Sequence, residues 1–255
     1  MFEAGYKALK YIQGKKKEVL DSLVLEVPLI IHINEEPFTV TMQTPGDEEF
    51  LTQGLLFTEG LIRQAVDEIY FDKTSATIKV TADISGELYS NKRSLLSVAS
   101  CGICGKKELV EMSGKRLKSA LCITAPSIFE LFEKMNAQQE TFSKTGGSHA
   151  AAIFDKNHTL LSIKEDIGRH NAVDKAIGEC LVNGELEHGK ILLISGRVSY
   201  EIITKCFKAS IPILAAVSAP SSLAVDFAKE LGITLLGFCR DKKFTVYSHP
   251  DKIIC

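Results

Sequence analysis

The pattern of apolar and polar residues differs between the first and second halves of the chain. In residues 22–43 apolar and polar residues alternate on both sides of the tetrapeptide NEEP, which predicts a strand, a turn and a second strand. A helix is predicted after Pro45, because acidic residues follow the proline and apolar residues then share one face. Two more short strands, EIYFDK and TIKVTADI, complete a small α+β unit of hairpin, helix and hairpin.

The second half of the chain alternates apolar strands with amphipathic helices. It begins with a helix predicted over residues 126–142, where Pro126 suits the first helical turn. The strands HAAAIF and TLLSIK follow as a hairpin, and helices and strands then alternate up to a last strand, FTVYSH. This rhythm predicts a parallel sheet that is covered by helices on both faces.

The order of these elements is that of the cytidine-deaminase-like fold. We therefore expect an α/β protein with a mixed, mostly parallel sheet, helices on both faces, and a small N-terminal α+β domain. The predicted parts are a polar, lysine-rich arm or first helix at 1–20, the small domain at 21–95, an irregular CxxC loop region at 96–125, and the α/β domain at 126–255.

Composition narrows the class of protein. The chain has 255 residues, 45% of them hydrophobic, so it can bury a sizeable core without disulfides or metal. A net charge of −2 argues against binding a nucleic-acid polymer. No apolar run is long enough for a membrane span, and the N-terminus lacks the apolar core of a signal peptide. Seven scattered cysteines indicate a reduced, cytoplasmic protein.

Polar loops follow several of the predicted strands. In open α/β sheets ligands bind at the carboxyl ends of the strands, and glycine-rich turns, helix starts and arginines suit phosphate. We therefore predict a pocket for a phosphorylated, nucleotide-like ligand. Its candidate residues are Gly146, Gly147, His149, Arg169, His170, Asn171, Gly196, Arg197, Ser199, Arg240, Lys242 and Lys243.

Each of these residues also has a purely structural interpretation. Glycine and serine after a strand are ordinary turn residues. Arg197 can pair with a surface carboxylate, His149 can be a hydrogen-bonded core histidine, and His170 can cap a helix. Loops that share one sheet edge nevertheless favour the pocket when they are taken together.

Deaminase activity does not follow from the predicted fold. Zinc deaminases use an H-x-E motif followed by P-C-x-x-C. Here the comparable histidine lies in SHAAA, without a glutamate two residues later, and Ser100 precedes a CxxC that comes earlier in the chain. Both the catalytic glutamate and the metal ligands are therefore missing from the pattern.

The CxxC motif at Cys101 and Cys104 allows three interpretations. Structural zinc needs four ligands, and no second CxxC follows, although scattered residues or another chain could complete a site. A thioredoxin-like switch would lie between the strand and helix of a βαβ unit. The glycines and lysines around this pair instead suit a moving thiol whose thiolate form is favoured.

Seven segments in order resemble the FdhD/NarQ family of formate dehydrogenase accessory sulfurtransferases. They are TPGDEEFLTQGLLFTEGLI, SCGICGK, TGGSHAAAIF, EDIGRHNAVDKAIG, SGRVSYEIITK, SAPSSLAVDFAKELGITLLGFCR and VYSHP, and they span roughly residues 25–250. The resemblance implies a cytidine-deaminase-like fold with a small N-terminal domain. It also implies a homodimer, an expectation that rests on the family alone.

The resemblance further implies a sulfurtransferase that takes sulfur from a cysteine desulfurase. The sulfur would pass as a persulfide to the molybdenum or tungsten bis(molybdopterin guanine dinucleotide) cofactor of formate dehydrogenase, and a guanine nucleotide would mimic one end of that cofactor. Cys101 would carry the persulfide, with Cys104 as the second thiol. The cofactor-binding segment would be Phe238, Cys239, Arg240, Asp241, Lys242 and Lys243, with Arg197, Gly147 and His149 lining the same pocket.

Two alternatives remain open at this point. A non-catalytic chaperone that only inserts the bis-pterin cofactor would share the pocket but would not need the thiols. A zinc-stabilised nucleotide-binding module would use the cysteines as metal ligands.

Overall fold

The computed structural model describes residues 2–81 and 116–254. The strands are β1 Glu3–Ile12, β2 Lys15–Val24, β3 Val27–Ile33, β4 Glu36–Gln43, β5 Ile69–Asp72, β6 Thr77–Val80, β7 Ile123–Thr124, β8 His149–Phe154, β9 Leu160–Asp166, β10 Ile191–Ile194, β11 Ile213–Ala216, β12 Thr234–Arg240, β13 Lys243–Ser248 and β14 Ile253–Ile254. The α-helices are α1 Glu48–Thr58, α2 Ala125–Asn136, α3 Glu140–Thr145, α4 Arg169–Val182, α5 Tyr200–Lys208 and α6 Ser222–Leu231.

The start of the chain is a long β-hairpin, not the polar arm or first helix expected from its lysines. Strands β1 and β2 pair antiparallel in unbroken register, from Glu3 opposite Val24 to Ile12 opposite Lys15. Gln13 and Gly14 form the turn with φ of 50° and 80°, the left-handed pair that suits a two-residue hairpin connection. The pairing of two strands of equal length satisfies the hydrogen-bonding backbone groups that face each other. This stabilisation outweighs the helix propensity of the lysines.

The next elements form the predicted small unit of hairpin, helix and hairpin. Its sheet has the order β4-β3-β6-β5, with β3 and β6 parallel and the two outer pairs antiparallel. Strands β3 and β6 contribute alternate side chains to a core shared with α1. The buried members of this core are Leu29, Ile31, Ile33, Phe38, Leu51, Leu56, Leu61, Ile62, Ile78 and Val80.

The large sheet is mixed, as predicted, but it is not mostly parallel. Its order is β13-β12-β11-β10-β8-β9. The neighbours β10–β11 and β11–β12 are parallel, whereas β8–β9, β8–β10 and β12–β13 are antiparallel. Short turns join β8 to β9 and β12 to β13, and a parallel connection would need a crossover of about a dozen residues or more.

Helices cover both faces of the large sheet, as predicted. One face packs against α4, α5 and α6, and the other packs against α2 through Ile128, Leu131, Phe132 and Met135. Helix α2 ends at Asn136, earlier than predicted, because the backbone of Gln139 leaves the helical region before α3 begins. Helix α6 begins after the N-cap Ser221, whose side chain accepts from the N–H of Ala224, and it ends at the left-handed Gly232.

Helices α1 and α4 join the small unit to the large sheet by direct backbone contact. A Cβ on Gly54 would collide with the carbonyl oxygen of Asp174, and a Cβ on Gly178 would collide with the carbonyl oxygen of Phe50. Both positions therefore require glycine, because any side chain would separate the helices. This close crossing holds the small unit against the face of the large sheet that carries α4.

Candidate functional site

Loops of the large sheet meet along one edge, which we call the strand-end edge. Strands β9, β10, β11 and β12 end there and β8 begins there, as their pairing directions require. Val198 pairs with Pro220, and the backbone N–H of Phe238 donates to the carbonyl oxygen of Ser218 at 3.2 Å. The strand-end edge comprises residues 147–149, 166–170, 195–199, 218–220 and 237–238.

Four basic side chains gather at this edge, and we call them the cationic cluster: His149, Arg169, His170 and Arg197. Gly196 lies beside two of them, since a Cβ there would be 3.3 Å from the Cβ of Arg169 and 3.3 Å from Nδ1 of His149. Burial, together with Arg169 and Arg197, holds the pKa of His149 below its usual value. The ring is therefore mostly neutral at pH 7.

His170, in the first turn of α4, faces the start of α5. Its Nε2 lies 3.2 Å from Oγ of Ser199, which is the N-cap residue of α5 but makes no capping hydrogen bond. Burial, with the charges of Arg169 and Lys205 nearby, lowers the pKa of His170 to about 3. The ring thus stays neutral at physiological pH, with one nitrogen that donates and one that accepts.

The two arginines lack a carboxylate partner in the part of the chain that the structure describes. No ion pair within residues 2–81 and 116–254 includes Arg169 or Arg197. Nε of Arg169 is buried without a hydrogen-bond partner among these residues. A desolvated cation without a partner is unfavourable, so an anionic ligand at this edge would supply the missing charge.

The charge of Asp166, at the end of β9, partly offsets the lowering of the pKa of His149. Both carboxylate oxygens of Asp166 already accept hydrogen bonds from other groups. Oδ2 accepts from Nζ of Lys175 at 2.8 Å and from the N–H of Thr44 at 3.0 Å. Oδ1 accepts from the N–H of Gly168 at 2.7 Å and from the amide of Asn171 at 3.0 Å. This network ties the loop that carries Arg169 to the small unit.

Sequence analysis missed Asp166 and Lys175, because both read as ordinary surface charges. Each is in fact almost completely buried, with 0% and 1% of its surface exposed. One signal was available: an acid at the end of a strand followed by a glycine and a helix start. Its partner at Thr44 could not be inferred, because it lies in the small unit.

The structure brings together only part of the predicted pocket. His149 and Arg197 belong to the cationic cluster. Gly147 lies at the edge and packs on the N-terminal hairpin, since a Cβ there would be 2.8 Å from Cγ1 of Val24. Asn171 turns away from the edge and donates to the carbonyl oxygen of Met42 at 2.8 Å.

The segment from Phe238 to Lys243 forms a turn next to the edge. Cys239 is buried in the core under α2, and burial raises the pKa of its thiol to about 12. Asp241 and Lys242 form the two-residue turn, both with positive φ, and Arg240 pairs with Lys243 across it. Within the described part of the chain, no hydrogen bond or ion pair joins these cations to the cationic cluster.

The CxxC pair, Cys101 and Cys104, lies outside the described residues. Of the other cysteines, Cys180 and Cys206 are buried, and burial raises the pKa of both thiols. Cys122 is exposed. The buried thiols stay protonated and are poor nucleophiles, since the thiolate is the reactive form.

The described residues contain neither a cluster of metal-ligating side chains nor a helix that could cross a membrane. In residues 2–81 and 116–254, no three His, Cys, Asp or Glu side chains lie close enough to share a metal ion. No helix in those ranges has the length and apolar character needed to cross a membrane.

Comparison with known proteins gives one consistent family. A sequence model of the FdhD/NarQ family matches residues 24–254. The sulfur carrier protein FdhD of Streptomyces coelicolor is 37% identical over 97% of this chain and 94% of its own length. The protein of the same name from Sulfolobus acidocaldarius is 38% identical over 97% of each chain.

A solved structure gives the same result for the fold. A crystal structure from Desulfotalea psychrophila, described provisionally as a formate dehydrogenase accessory protein, superposes with a TM-score of 0.83. The match covers 100% of both chains at 25% sequence identity. The arrangement of the small unit, the mixed sheet and the strand-end edge is therefore shared with an experimentally determined structure.

Proposed function

Because the chain belongs to the FdhD/NarQ family, we propose that it is a sulfur carrier that serves the maturation of formate dehydrogenase. Relatives that carry the name sulfur carrier protein align over nearly the full length of this chain. A protein of this kind needs a thiol that accepts sulfur and a site that holds the acceptor. The reduced cytoplasm predicted from the scattered cysteines is where such a thiol would stay available.

The proposed sulfur-accepting thiol is that of Cys101, with Cys104 assisting. The thiolate of Cys101 attacks the terminal sulfur of a persulfide on a cysteine desulfurase. A new sulfur–sulfur bond forms on Cys101, the donor's sulfur–sulfur bond breaks, and the donor cysteine leaves as a thiolate. Support comes from the match of SCGICGK to the family motif and from the burial of Cys180, Cys206 and Cys239, which makes these three thiols poor competitors.

The single observation that carries the proposal is the unbalanced charge of the cationic cluster. The proposed acceptor, a molybdenum or tungsten bis(molybdopterin guanine dinucleotide), is a polyanion with phosphates at each guanine end. Arg169 and Arg197 supply cationic donors, and the uncapped start of α5 supplies backbone N–H groups. His149 and His170, being neutral, can donate to phosphate oxygens without adding to the repulsion between the arginines.

The turn from Phe238 to Lys243 is proposed as a second contact zone for the same ligand. Its first residue lies on the strand-end edge, and the exposed cations Arg240, Lys242 and Lys243 follow. In this proposal one nucleotide end of the ligand contacts the cationic cluster and the other contacts this turn. A nucleotide-sized site at this edge also agrees with the cytidine-deaminase-like arrangement inferred from the element order.

Transfer of labelled sulfur tests the thiol assignment. The protein is incubated with a cysteine desulfurase and labelled cysteine, and the label on the peptide containing Cys101 is measured by mass spectrometry. We expect the label on the wild-type protein and its loss from Cys101→Ser. Label that persists on the Cys101→Ser variant would show that Cys101 is not the acceptor. The Cys122→Ser variant is the matched control, because Cys122 is exposed but lies outside the motif.

Maturation of formate dehydrogenase separates this function from a cofactor chaperone that needs no thiols. We expect the double variant Cys101→Ser and Cys104→Ser to bind guanosine diphosphate like the wild-type protein but to leave the client dehydrogenase inactive. Full maturation by the double variant would favour the chaperone function instead.

A further inference from the structure

A cavity lies at the edge of the large sheet opposite the strand-end edge, and we call it the far-edge cavity. Its lining includes the segment 116–121, Thr234 at the start of β12, and His249, Asp251 and Lys252 after β13. Its volume of about 570 Å³ falls within the range of small-molecule sites. Strand β12 has seven residues, so roughly 20 Å of strand separates the far-edge cavity from the strand-end edge.

One wall of the cavity is held against the end of α6. The backbone N–H of Leu117 donates to the carbonyl oxygen of Leu231 at 2.8 Å. Gly232 has a φ of 78°, and a Cβ there would lie 2.5 Å from the carbonyl oxygen of Leu117 and 2.8 Å from Cγ of Arg116. Glycine at this position therefore allows Arg116 to lie directly over the helix end, where the helix dipole favours a cation.

The opposite wall is held through the buried hydroxyl of Ser248. This hydroxyl donates to the carbonyl oxygen of Ile233 at 2.6 Å and accepts from the N–H of Leu235 at 2.9 Å. His249 follows directly, and Nε2 of its ring is buried without a hydrogen-bond partner among the described residues. A buried nitrogen without a partner is unfavourable, so a turn of the ring that brings Nε2 to a ligand in the cavity would stabilise the protein.

Positive charge predominates around the far-edge cavity. Asp251 is the carboxylate among the described lining residues, and it already contacts Lys252 at 3.4 Å. Arg116 and Lys118 are exposed, and no ion pair within residues 2–81 and 116–254 includes either of them. Two cations therefore line the cavity without a compensating carboxylate in the described part of the chain.

We propose that the far-edge cavity binds a phosphorylated small molecule. Arg116 and Lys118 bind the phosphate by charge-assisted hydrogen bonds, and His249 donates to it from Nε2 after its ring turns. The hydroxyl of Ser119, which accepts from the N–H of Leu121 at 3.1 Å, donates its own proton. A phosphate monoester presents three terminal oxygens to these donors, whereas a carboxylate presents two. The inference does not rest on the sulfur-carrier proposal, because neither the cysteines nor the cationic cluster enters it.

Nuclear magnetic resonance of the histidine C2–H groups in the full chain tests the site, with inorganic phosphate as the probe at constant pH and ionic strength. The signals of the six histidines are assigned from single substitutions. We expect the signal of His249 to shift saturably with phosphate, whereas that of the exposed His188 stays in place. A His249 signal that stays in place, shifts without saturation or responds equally to sodium chloride would overturn the proposal.

Substitution tests the role of the two cations. We expect the double variant Arg116→Gln and Lys118→Gln to raise the dissociation constant of phosphate, measured at His249, about tenfold or more, because two charged donors are lost. The matched control is Lys229→Gln, which removes an exposed charge in the last turn of α6 and should leave the constant unchanged. Equal constants for the double variant and the control would contradict the proposed site.

Two further variants keep the test decisive. Because Arg116 lies against the end of α6, urea denaturation checks the fold of the double variant. If that variant is unfolded, Lys118→Gln alone should still raise the constant about threefold. Arg169→Gln should leave the phosphate titration of His249 unchanged. Loss of the His249 response in Arg169→Gln would mean that phosphate binds at the strand-end edge instead.

Discussion

Two groups of basic side chains lie on or next to α4 and α5 but meet opposite electrostatic conditions. Lys175 and Lys205 are almost completely buried, and each contacts a carboxylate: Asp166 at 2.8 Å and Asp174 at 2.7 Å. The arginines of the cationic cluster lie at the strand-end edge, without a carboxylate partner in the described ranges.

The difference separates charges that hold the structure from charges that, in the proposed function, would bind an anionic ligand. Lys205 also donates to Oγ1 of Thr58 at 2.9 Å, so this pair ties α5 and α4 to the end of α1. Removing one member of such a pair leaves the other charge buried and unpaired. Removing an arginine from the cationic cluster instead relieves repulsion, and only a bound anion would lose a partner.

The largest effect is expected for the buried pair. Asp174→Ala should lower the free energy of unfolding by about 3–5 kcal/mol, because it leaves the ammonium of Lys205 buried without its carboxylate. Urea denaturation at pH 7 measures the change. The double variant Asp174→Leu and Lys205→Met should recover most of the loss. A small effect of Asp174→Ala would remove the basis for treating this pair as structural.

The next effect concerns His170 and acid. Its pKa is about 3 in the folded protein and 6.5 as the ordinary value, so the unfolded chain binds a proton that the folded protein does not. Stability should therefore fall as pH drops from about 6.5 toward 3, by up to about 1.4 kcal/mol per pH unit from this one group. The His170→Gln variant should show a shallower slope in urea denaturation across this range.

Bound anion should sharpen the same measurement. Negative charge at the cationic cluster favours protonated His170, so guanosine diphosphate should reduce the slope of the wild-type protein. The wild-type protein and His170→Gln could instead show the same dependence of stability on pH, both with and without the nucleotide. That result would contradict the position assigned to the ring of His170.

A smaller energy but a more specific readout is expected for Arg169. Arg169→Gln should weaken the binding of guanosine diphosphate about tenfold or more, because a charge-assisted hydrogen bond to phosphate is lost. The free energy of unfolding should stay the same or rise, since repulsion from Arg197 decreases. Isothermal titration calorimetry measures the dissociation constant of the nucleotide, and urea denaturation measures the free energy of unfolding. The control is Lys156→Gln, which removes an exposed charge. If Arg169→Gln lowers the free energy of unfolding as much as the free energy of binding, Arg169 has a structural role like that of the buried lysines.

The smallest effect is expected for an ion pair on the open surface. Lys79 contacts Glu35 at 2.9 Å, but both side chains are largely in solvent. Lys79→Ala should leave the urea midpoint essentially unchanged, because water screens such pairs. A shift comparable to that of Asp174→Ala would mean that burial is not what distinguishes the pairs.

Most elements of the fold could be predicted from the sequence because their signals are local. The small unit, the helices of the second half and the caps of α6 follow from periodicity, proline and glycine. The antiparallel hairpin of β8 and β9 was predicted and is present, whereas the short turn between β12 and β13 was not recognised as the sign of a second antiparallel pair. The N-terminal hairpin was missed because lysines at alternate and consecutive positions hide the strand pattern.

The candidate site was predictable in its residue types but not in its grouping. His149 and Arg197 were identified as pocket residues because they follow or begin strands. Which loops share their surroundings depends on strand order, and the turn from Phe238 to Lys243 contacts the strand-end edge through Phe238, with no bond to the cationic cluster among the described residues. The thiols of Cys101 and Cys104 stay a prediction from the family motif.

The sequence by itself determined the elements, the family and the presence of basic loops after strands. Only the tertiary structure decided which charges are neutralised. Oδ2 of Asp166 accepts a hydrogen bond from the N–H of Thr44, 122 residues away, and Nζ of Lys205 donates to Oγ1 of Thr58, 147 residues away. Such pairings follow from the crossing of α1 and α4 at two glycines, and no local pattern encodes them. Periodicity reports the face of one element, whereas electrostatic balance depends on every element packed around a group.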